Sequence, residues 1–201
     1  MTTTTHKQLE VLTDDQTPQK WCVLLREEVF KKFMSQGSPI VHKVFGVGSF
    51  FSPLLFGKFF DPSDAFPLWD FESDILLSSL RSSGQSTIDW FQTEQYYVLK
   101  AELPGEGKNS VRVYAENAKV LEISGQWKQQ QQQKDQSKTN STRDWRSGNW
   151  WESGYVRRLE LPQDADWRKI EAYVTNDLIL EIKIHKINNS LDADNNQNTT
   201  A

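Results

Sequence analysis

Apolar residues recur at every second position in the part of the chain that begins at Thr87. In residues 97–103 the apolar side chains alternate with Lys100 and Glu102, and Pro104-Gly105 ends the run. A period of two places successive side chains on opposite faces of an extended chain, so that one face can be buried. The segment is therefore predicted to be a half-buried β-strand.

The same alternation returns several times further along the chain, separated by residues that favour turns. The apolar positions are Val111, Val113, Ala115, Val120, Leu121, Ile123, Leu159, Leu161, Ile170, Ala172, Val174, Leu178, Leu180, Ile182 and Ile184, with turns expected at 116–118 and at Asn176-Asp177. Short strands with turns at this spacing predict an all-β fold, an immunoglobulin-like antiparallel β-sandwich over residues 87–187. Residues 126–143 include Gln129 to Gln133 and are predicted to be a solvated low-complexity loop.

Residues 1–86 have a different composition and are interpreted as a phenylalanine-rich arm. Ten of the eleven Phe lie here, eight of them between residues 45 and 71. Gly and Pro interrupt every helical or strand period in residues 44–62, so this stretch is predicted to be apolar but irregular. The start of the chain, around His6, and the polar residues 188–201 are predicted to be disordered.

Two short helices are expected inside the arm. Thr17-Pro18 offers an N-cap followed by a first-turn proline, and the helix would end before Gly37. Its apolar face would consist of Trp21, Leu24, Leu25 and Phe33, and its wet face would carry the ion pairs Glu27–Lys31 and Glu28–Lys32. A second, weaker helix is expected over about residues 68–80.

The residue types that carry catalysis do not converge in this sequence. His6, His42 and His185 follow no common spacing, and the single Cys22 allows neither an internal disulfide nor a zinc motif. No glycine-rich phosphate loop follows a strand, and no Gly-x-Ser-x-Gly occurs. We therefore expect no catalytic residues, no cofactor and no metal, and predict that the protein is not an enzyme.

Charge and hydropathy restrict the partners. The chain has 23 basic and 27 acidic residues, a net charge of −4, and no basic stripe, so nucleic acid is not an expected partner. Its longest apolar stretches are broken by Gly and Pro, so no membrane span and no membrane partner are expected. One cysteine and a polar N-terminal stretch favour a cytoplasmic location.

Two proline-anchored patterns resemble those of the small heat-shock proteins, the α-crystallin domain family. The first is Ala101-Glu-Leu-Pro-Gly and then, fourteen residues after Pro104, Lys119-Val-Leu; the second is Arg157-Arg-Leu-Glu-Leu-Pro and, after the same interval, Asp177-Leu-Ile. The resemblance covers about residues 87–187. In the arm, Ser52-Pro-Leu-Leu-Phe-Gly and Leu68-Trp-Asp-Phe are similar to plant cytosolic members of the divergent class VI.

The chain departs from that family's pattern at three points, of which one is Gly148, a strand-weakening residue inside the stretch expected to be exchanged between protomers. Asp177 stands where the family usually has Gly, and we expect Asp177 itself to take the left-handed turn conformation, which a short polar side chain tolerates. Family members often dock into a neighbour through a C-terminal Ile-x-Ile, and no such triplet follows Ile187. A homodimer is therefore expected, and higher oligomers are left open.

The resemblance implies an ATP-independent holdase, a chaperone that binds partly unfolded proteins and prevents their aggregation under heat or other stress. An irregular aromatic arm suits this role because it can cover exposed apolar surface of many shapes. The predicted client-binding residues are Phe50, Phe51, Phe56, Phe59, Phe60, Phe66 and Trp69.

The resemblance also implies a dimer interface. Its predicted residues are Trp145, Trp150, Trp151, Arg157 and Arg158, with the tryptophans in a strand exchanged between protomers. Adjacent strand residues point to opposite faces, so only one of the two arginines can lie inside the sandwich.

Several alternatives stay open. The phenylalanines could pack inside the assembly, permanently or in alternation with client contact, and the tryptophans could pack locally. The protein could be a co-chaperone or scaffold module of the CS type, which binds a folded partner and does not need the arm. It could also be a passive structural protein that has kept the fold and lost client binding.

Overall fold

The computed structural model contains two five-stranded sheets and describes residues 6–13, 23–82, 84, 86–104, 110–127, 146 and 148–187. The strands are β1 (Lys7–Leu9), β2 (Val11–Thr13), β3 (Ala65–Phe66), β4 (Ile88–Gln92), β5 (Tyr96–Glu102), β6 (Arg112–Glu116), β7 (Val120–Gln126), β8 (Gly154–Glu160), β9 (Ala165–Val174) and β10 (Ile179–Lys186). The sheet orders are β1-β9-β10-β5-β4 and β2-β6-β7-β8-β3. The predicted β-sandwich is confirmed.

Three strands at the sheet edges come from the segment interpreted as the arm. β1 pairs antiparallel with β9, whereas β2 and β3 run parallel to β6 and β8. Parallel pairing is possible here because a long connection, rather than a tight hairpin, joins each strand to its neighbour. The expectation of a disordered start is wrong for residues 7–13, whose Leu9 and Val11 pack against the core.

The helices of the arm are shorter than predicted. They are α1 (Glu27–Ser35), α2 (Pro39–Phe45) and α3 (Ser73–Ser82), with 3-10 turns at Leu55–Gly57 and Leu68–Asp70. Thr17, Pro18 and Trp21 lie outside the described residues. The ion pair Glu27–Lys31 forms at 2.9 Å, but the expected pair Glu28–Lys32 is not among the ion pairs of the described residues.

One continuous apolar cluster fills the space between the sheets. On β5 and β10, Leu99 lies opposite Ile182, and on β7 and β8, Leu121 lies opposite Leu159, all four side chains being fully buried. Most of the alternating positions predicted from the sequence therefore face the core, whereas Val120, Ile170 and Leu178 are only partly buried. The arm residues Phe50, Phe51 and Phe66 belong to the same cluster.

The turn after β9 differs from the expectation. Leu178, at φ 61°, is in the left-handed region, whereas Asp177 is not among the described residues with positive φ. Thr175 and Ile179 pair across the hairpin, and the amide of Leu178 donates to the carbonyl of Thr175. A three-residue loop of this kind places its left-handed residue last, so the strained position falls on Leu178.

Candidate functional site

The aromatic residues predicted to bind clients pack against the sandwich. Phe50, Phe51 and Phe66 are fully buried or nearly so, while the remaining side chains, Phe56, Phe59, Phe60 and Trp69, are half-buried. All of them contact the single core cluster. In this arrangement Phe50, Phe51 and Phe66 reach a client only if the arm moves, so their role in client contact stays a prediction.

Ring contacts join the arm to both sheets. Phe51 lies 4.4 Å from the ring of Tyr155 on β8, and Phe56 lies 5.8 Å from that of Trp90 on β4, in each case between centroids. Phe66 stacks on Phe71 at 5.3 Å. Tilted and edge-on ring pairs add stabilisation beyond the area they bury. The arm thus packs against the sandwich as an apolar cover that spans from one sheet to the other.

Arg157 on β8 holds the arm from inside the core. The guanidinium is fully buried, and it donates from Nε to the carbonyl of Phe50 at 3.0 Å and from Nη2 to that of Ser52 at 2.6 Å. It also lies 5.5 Å from the ring centroid of Phe66. Its Nη1 has no hydrogen-bond partner among the described residues. Both hydrogen bonds thus go to neutral main-chain carbonyls of the arm.

Burial has a cost for this cation. Loss of water lowers the pKa of Arg157 to about 10, which still leaves the side chain charged at neutral pH. A buried charge that has only neutral partners keeps much of its desolvation penalty. The desolvation penalty of the guanidinium therefore offsets part of the stabilisation that the two charge-assisted hydrogen bonds give to the docked arm.

Arg158, the next residue of β8, contacts the arm from the opposite face. Its Nη1 donates to the carbonyl of Ser63 at 2.6 Å, and its guanidinium pairs with Glu116 and, at 3.6 Å, with Glu122. It is partly exposed, unlike Arg157. The prediction that only one of the two arginines lies inside the sandwich is confirmed.

The tryptophans of the predicted exchanged strand are buried by their own chain. Trp150 and Trp151 belong to a 3-10 turn, Trp150–Glu152, and their rings meet edge to face at 5.7 Å. Trp150 Nε1 donates to the carbonyl of Val23 at 3.0 Å. Trp145 lies outside the described residues. The exchange between protomers and the dimer interface remain predictions.

Sequence reasoning missed the main partners of the β8 arginines. It placed Arg157 and Arg158 at a dimer interface, and in the single chain they bind carbonyls of Phe50, Ser52 and Ser63. Every residue has a main-chain carbonyl, so no sequence signal marks these three. Among the described residues, no set of three His, Cys, Asp or Glu side chains is placed to hold a metal ion, and no helix is long and apolar enough to cross a bilayer.

Comparison with known proteins gives relatives that cover most of the chain. The chain is 57% identical over 184 residues to the "21.7 kDa class VI heat shock protein" of Arabidopsis thaliana, and the match covers 90% of this chain and 93% of that protein. It is 46% identical over 176 residues to the "22.3 kDa class VI heat shock protein" of Oryza sativa subsp. japonica, covering 83% of this chain and 85% of that protein. The expected likeness to class VI is confirmed.

A family profile and a solved structure each match about half of the chain. The structure of HSP18.5 from E. histolytica aligns with a TM-score of 0.37 and 25% identity, over 52% of this chain and 89% of that chain. The sequence profile of the Hsp20/alpha crystallin family matches residues 89–198, more than half of the chain. The chain therefore belongs to the Hsp20/alpha crystallin family of small heat shock proteins, which are ATP-independent chaperones and not enzymes.

Proposed function

We propose that this protein is a holdase which binds partly unfolded clients with the arm side chains Phe50, Phe51, Phe56, Phe59, Phe60, Phe66 and Trp69, and that heating releases the arm from the sandwich. The observation that carries the proposal is the way the arm is held. Phe50, Phe51 and Phe66 are covered, yet the polar contacts of residues 50–66 with β8 are three hydrogen bonds from two arginines to main-chain carbonyls and the two-residue pairing of β3.

The energetics favour exchange between the docked arm and a client. Burying a phenylalanine stabilises by about 1.5–3 kcal/mol whether the covering surface is the sandwich or an unfolding protein. The free energies of the docked arm and the client-bound arm therefore differ by less than the burial energy gained in either state. A holdase of this kind needs no nucleotide, because the client supplies the apolar surface that replaces the sandwich.

The same proposal includes self-association and a cytoplasmic location. Family membership supports a homodimer, for which Trp145, Trp150, Trp151, Arg157 and Arg158 are the proposed interface residues. Trp150, Trp151 and Arg157 are buried within one chain. Their use between protomers therefore requires the arm and the Trp150–Glu152 turn to move, which links dimer formation to arm release.

The test removes apolar surface from the arm without emptying the core. Phe59 and Phe60 are half-buried, so Phe59→Ser/Phe60→Ser should leave the sandwich folded. The matched control is Phe91→Ser/Ile187→Ser, because these apolar residues are 40% and 50% exposed and lie outside the arm. Light scattering of a heated, aggregation-prone client is followed with each full-length variant in the absence of ATP.

The holdase proposal predicts that the arm variant loses most of the protection while the control variant keeps it. Circular dichroism melting curves show whether both remain folded. Equal protection by the two variants would exclude the arm as the client-binding surface. Absence of protection by the unmodified protein, together with binding to a folded chaperone, would favour the CS-type alternative.

A further inference from the structure

A second apolar surface stays open while the arm is docked. It is a groove of about 720 Å³ between α1 and residues 149–152, which we call the α1 groove. Leu24, Val29, Phe33 and Trp151 supply its apolar lining, and Leu24 and Val29 are 60% and 42% exposed. Contiguous exposed apolar surface on a soluble domain commonly marks an interaction site.

The walls of the groove are fixed by contacts on their far sides. Trp150 Nε1 donates to the carbonyl of Val23 and so ties the chain before α1 to the Trp150–Glu152 turn. α1 is anchored by Phe30, which is buried against Phe45 with ring centroids 6.2 Å apart. The groove therefore does not depend on release of the arm.

Two cations that form no ion pair with a described residue line the groove. Arg26 and Lys32 both face it, and neither makes an ion pair with any residue that the structure describes. Lys31, one position away, does not line the groove, and its Nζ pairs with Glu27 at 2.9 Å. Glu152 is the one acidic residue in the lining, and its carboxylate accepts a hydrogen bond from the Asn149 amide. The groove is locally positive on a chain whose net charge is −4.

We propose that the α1 groove binds an extended apolar segment of a partly unfolded protein that carries carboxylates beside its apolar residues. Leu24, Val29 and Phe33 bury the apolar side chains, and Arg26 and Lys32 pair with the flanking acids. Charge complementarity of this kind sets which partner binds rather than how much area is buried. The proposal rests on the holdase function and adds a client preference at a site that is available before heating.

The experiment uses the full-length protein and two fluorescent peptides with the same apolar centre, one flanked by Glu and the other by Lys. Fluorescence anisotropy is measured at low salt and at a temperature where the protein is fully folded. The Glu-flanked peptide should bind about tenfold more tightly, because two exposed ion pairs form with it and two like-charge contacts form with the other. The difference should shrink as salt is added.

Charge-reversal variants test whether the peptides bind in the α1 groove. Arg26→Glu/Lys32→Glu should abolish or invert the preference, whereas Lys58→Glu/Lys119→Glu, the same charge change at two exposed positions outside the groove, should leave it. Leu24→Ser/Val29→Ser should weaken both peptides by a similar factor. All four positions of the test variants are on the surface or half-exposed, so folding should be retained.

Four results would overturn the inference, the first three of them in the peptide measurements. The unmodified protein could bind neither peptide, it could bind both equally, or the two charge-reversed variants could behave alike. A change of oligomer size in the groove variant without a change of peptide affinity would also overturn it, by assigning the groove to contacts between copies of this chain. Suppression of client aggregation without a preference between the peptides would refute the proposal for the α1 groove and leave the holdase proposal standing. If the unmodified protein neither suppressed aggregation nor distinguished the peptides, both proposals would be refuted.

Discussion

Replacing Arg157 with Met should loosen the arm while the sandwich stays folded. Met has a similar length, fills the same apolar space and makes no hydrogen bonds, so the substitution removes the two contacts to the carbonyls of Phe50 and Ser52. It also removes a fully buried charge. The two effects on the free energy of arm docking have opposite signs.

The free energy lost with the two hydrogen bonds should exceed the free energy gained by removing the buried charge. A hydrogen bond to a charged group contributes about 1.5–3 kcal/mol, so two lost bonds weaken arm docking by roughly 3–6 kcal/mol. Removing the buried guanidinium returns a desolvation penalty of several kcal/mol. With a returned penalty of about 2–3 kcal/mol, arm docking is weakened by about 1–3 kcal/mol, which corresponds to roughly a 5- to 150-fold increase in the open population of the arm.

Hydrogen exchange measures this population directly. In the docked arm the amide of Ser52 donates to Ser49, that of Gly57 to Leu54 and that of Phe60 to Pro53. These amides should exchange faster in Arg157→Met by the factor just derived, while those of β7 and β10 keep their rates. Arg168→Met, at an exposed arginine on β9, is the control and should change neither set. Unchanged arm amides, or equal acceleration of arm and strands, would refute the reasoning.

Three further substitutions test other parts of the fold. Ala118→Gly should raise the free energy of unfolding by about 0.5–1 kcal/mol, measured by urea denaturation, because Ala118 has φ 57° in the β6–β7 turn, a conformation that glycine adopts without strain. Gly125→Ala should lower it by about 1–3 kcal/mol and speed exchange in the arm, since a Cβ there would lie 2.6 Å from Cζ of Tyr155, the ring on which Phe51 packs. Burial and a hydrogen bond to Asp164 raise the pKa of Tyr97 from 10 to about 12, so the unfolded chain loses this proton first and stability falls as pH rises from 10 to 12. Tyr97→Phe should therefore make the pH dependence of the melting temperature shallower in that window, and an unchanged slope would contradict the assignment.

The strands from β5 to β10 could be predicted from the sequence because their alternation is local information, whereas β4 was not predicted as a strand. Leu99, Leu121 and Ile182 occupy the positions that a period of two assigns to a buried face. β1, β2 and β3 have two or three residues each, which is too short for any period to be recognised. Their pairing depends on sheet edges that exist only once the sandwich has formed.

The candidate site could be predicted in its composition but not in its arrangement. The concentration of Phe indicated an arm with a special role, yet no pattern indicated that Phe50 and Phe51 enter the core. A variant that replaces both with serine would damage the sandwich as well as the arm. For that reason the half-buried Phe59 and Phe60 are better probes of client binding. The turn after β9 could not be predicted in detail either. Its loop length determines which residue is left-handed, and the sequence did not indicate that this residue would be Leu178 rather than Asp177.

Site-specific photo-cross-linking during heating gives the most direct test of arm release. A photoreactive phenylalanine analogue is placed at Phe60 in the arm or at Phe91 on β4, and an aggregation-prone client is heated with each protein in the absence of ATP. Release of the arm predicts cross-links from position 60 that increase with temperature in parallel with the suppression of light scattering, and few from position 91. Full suppression without cross-links from position 60, or with equal cross-links from position 91, would contradict client binding by a released arm.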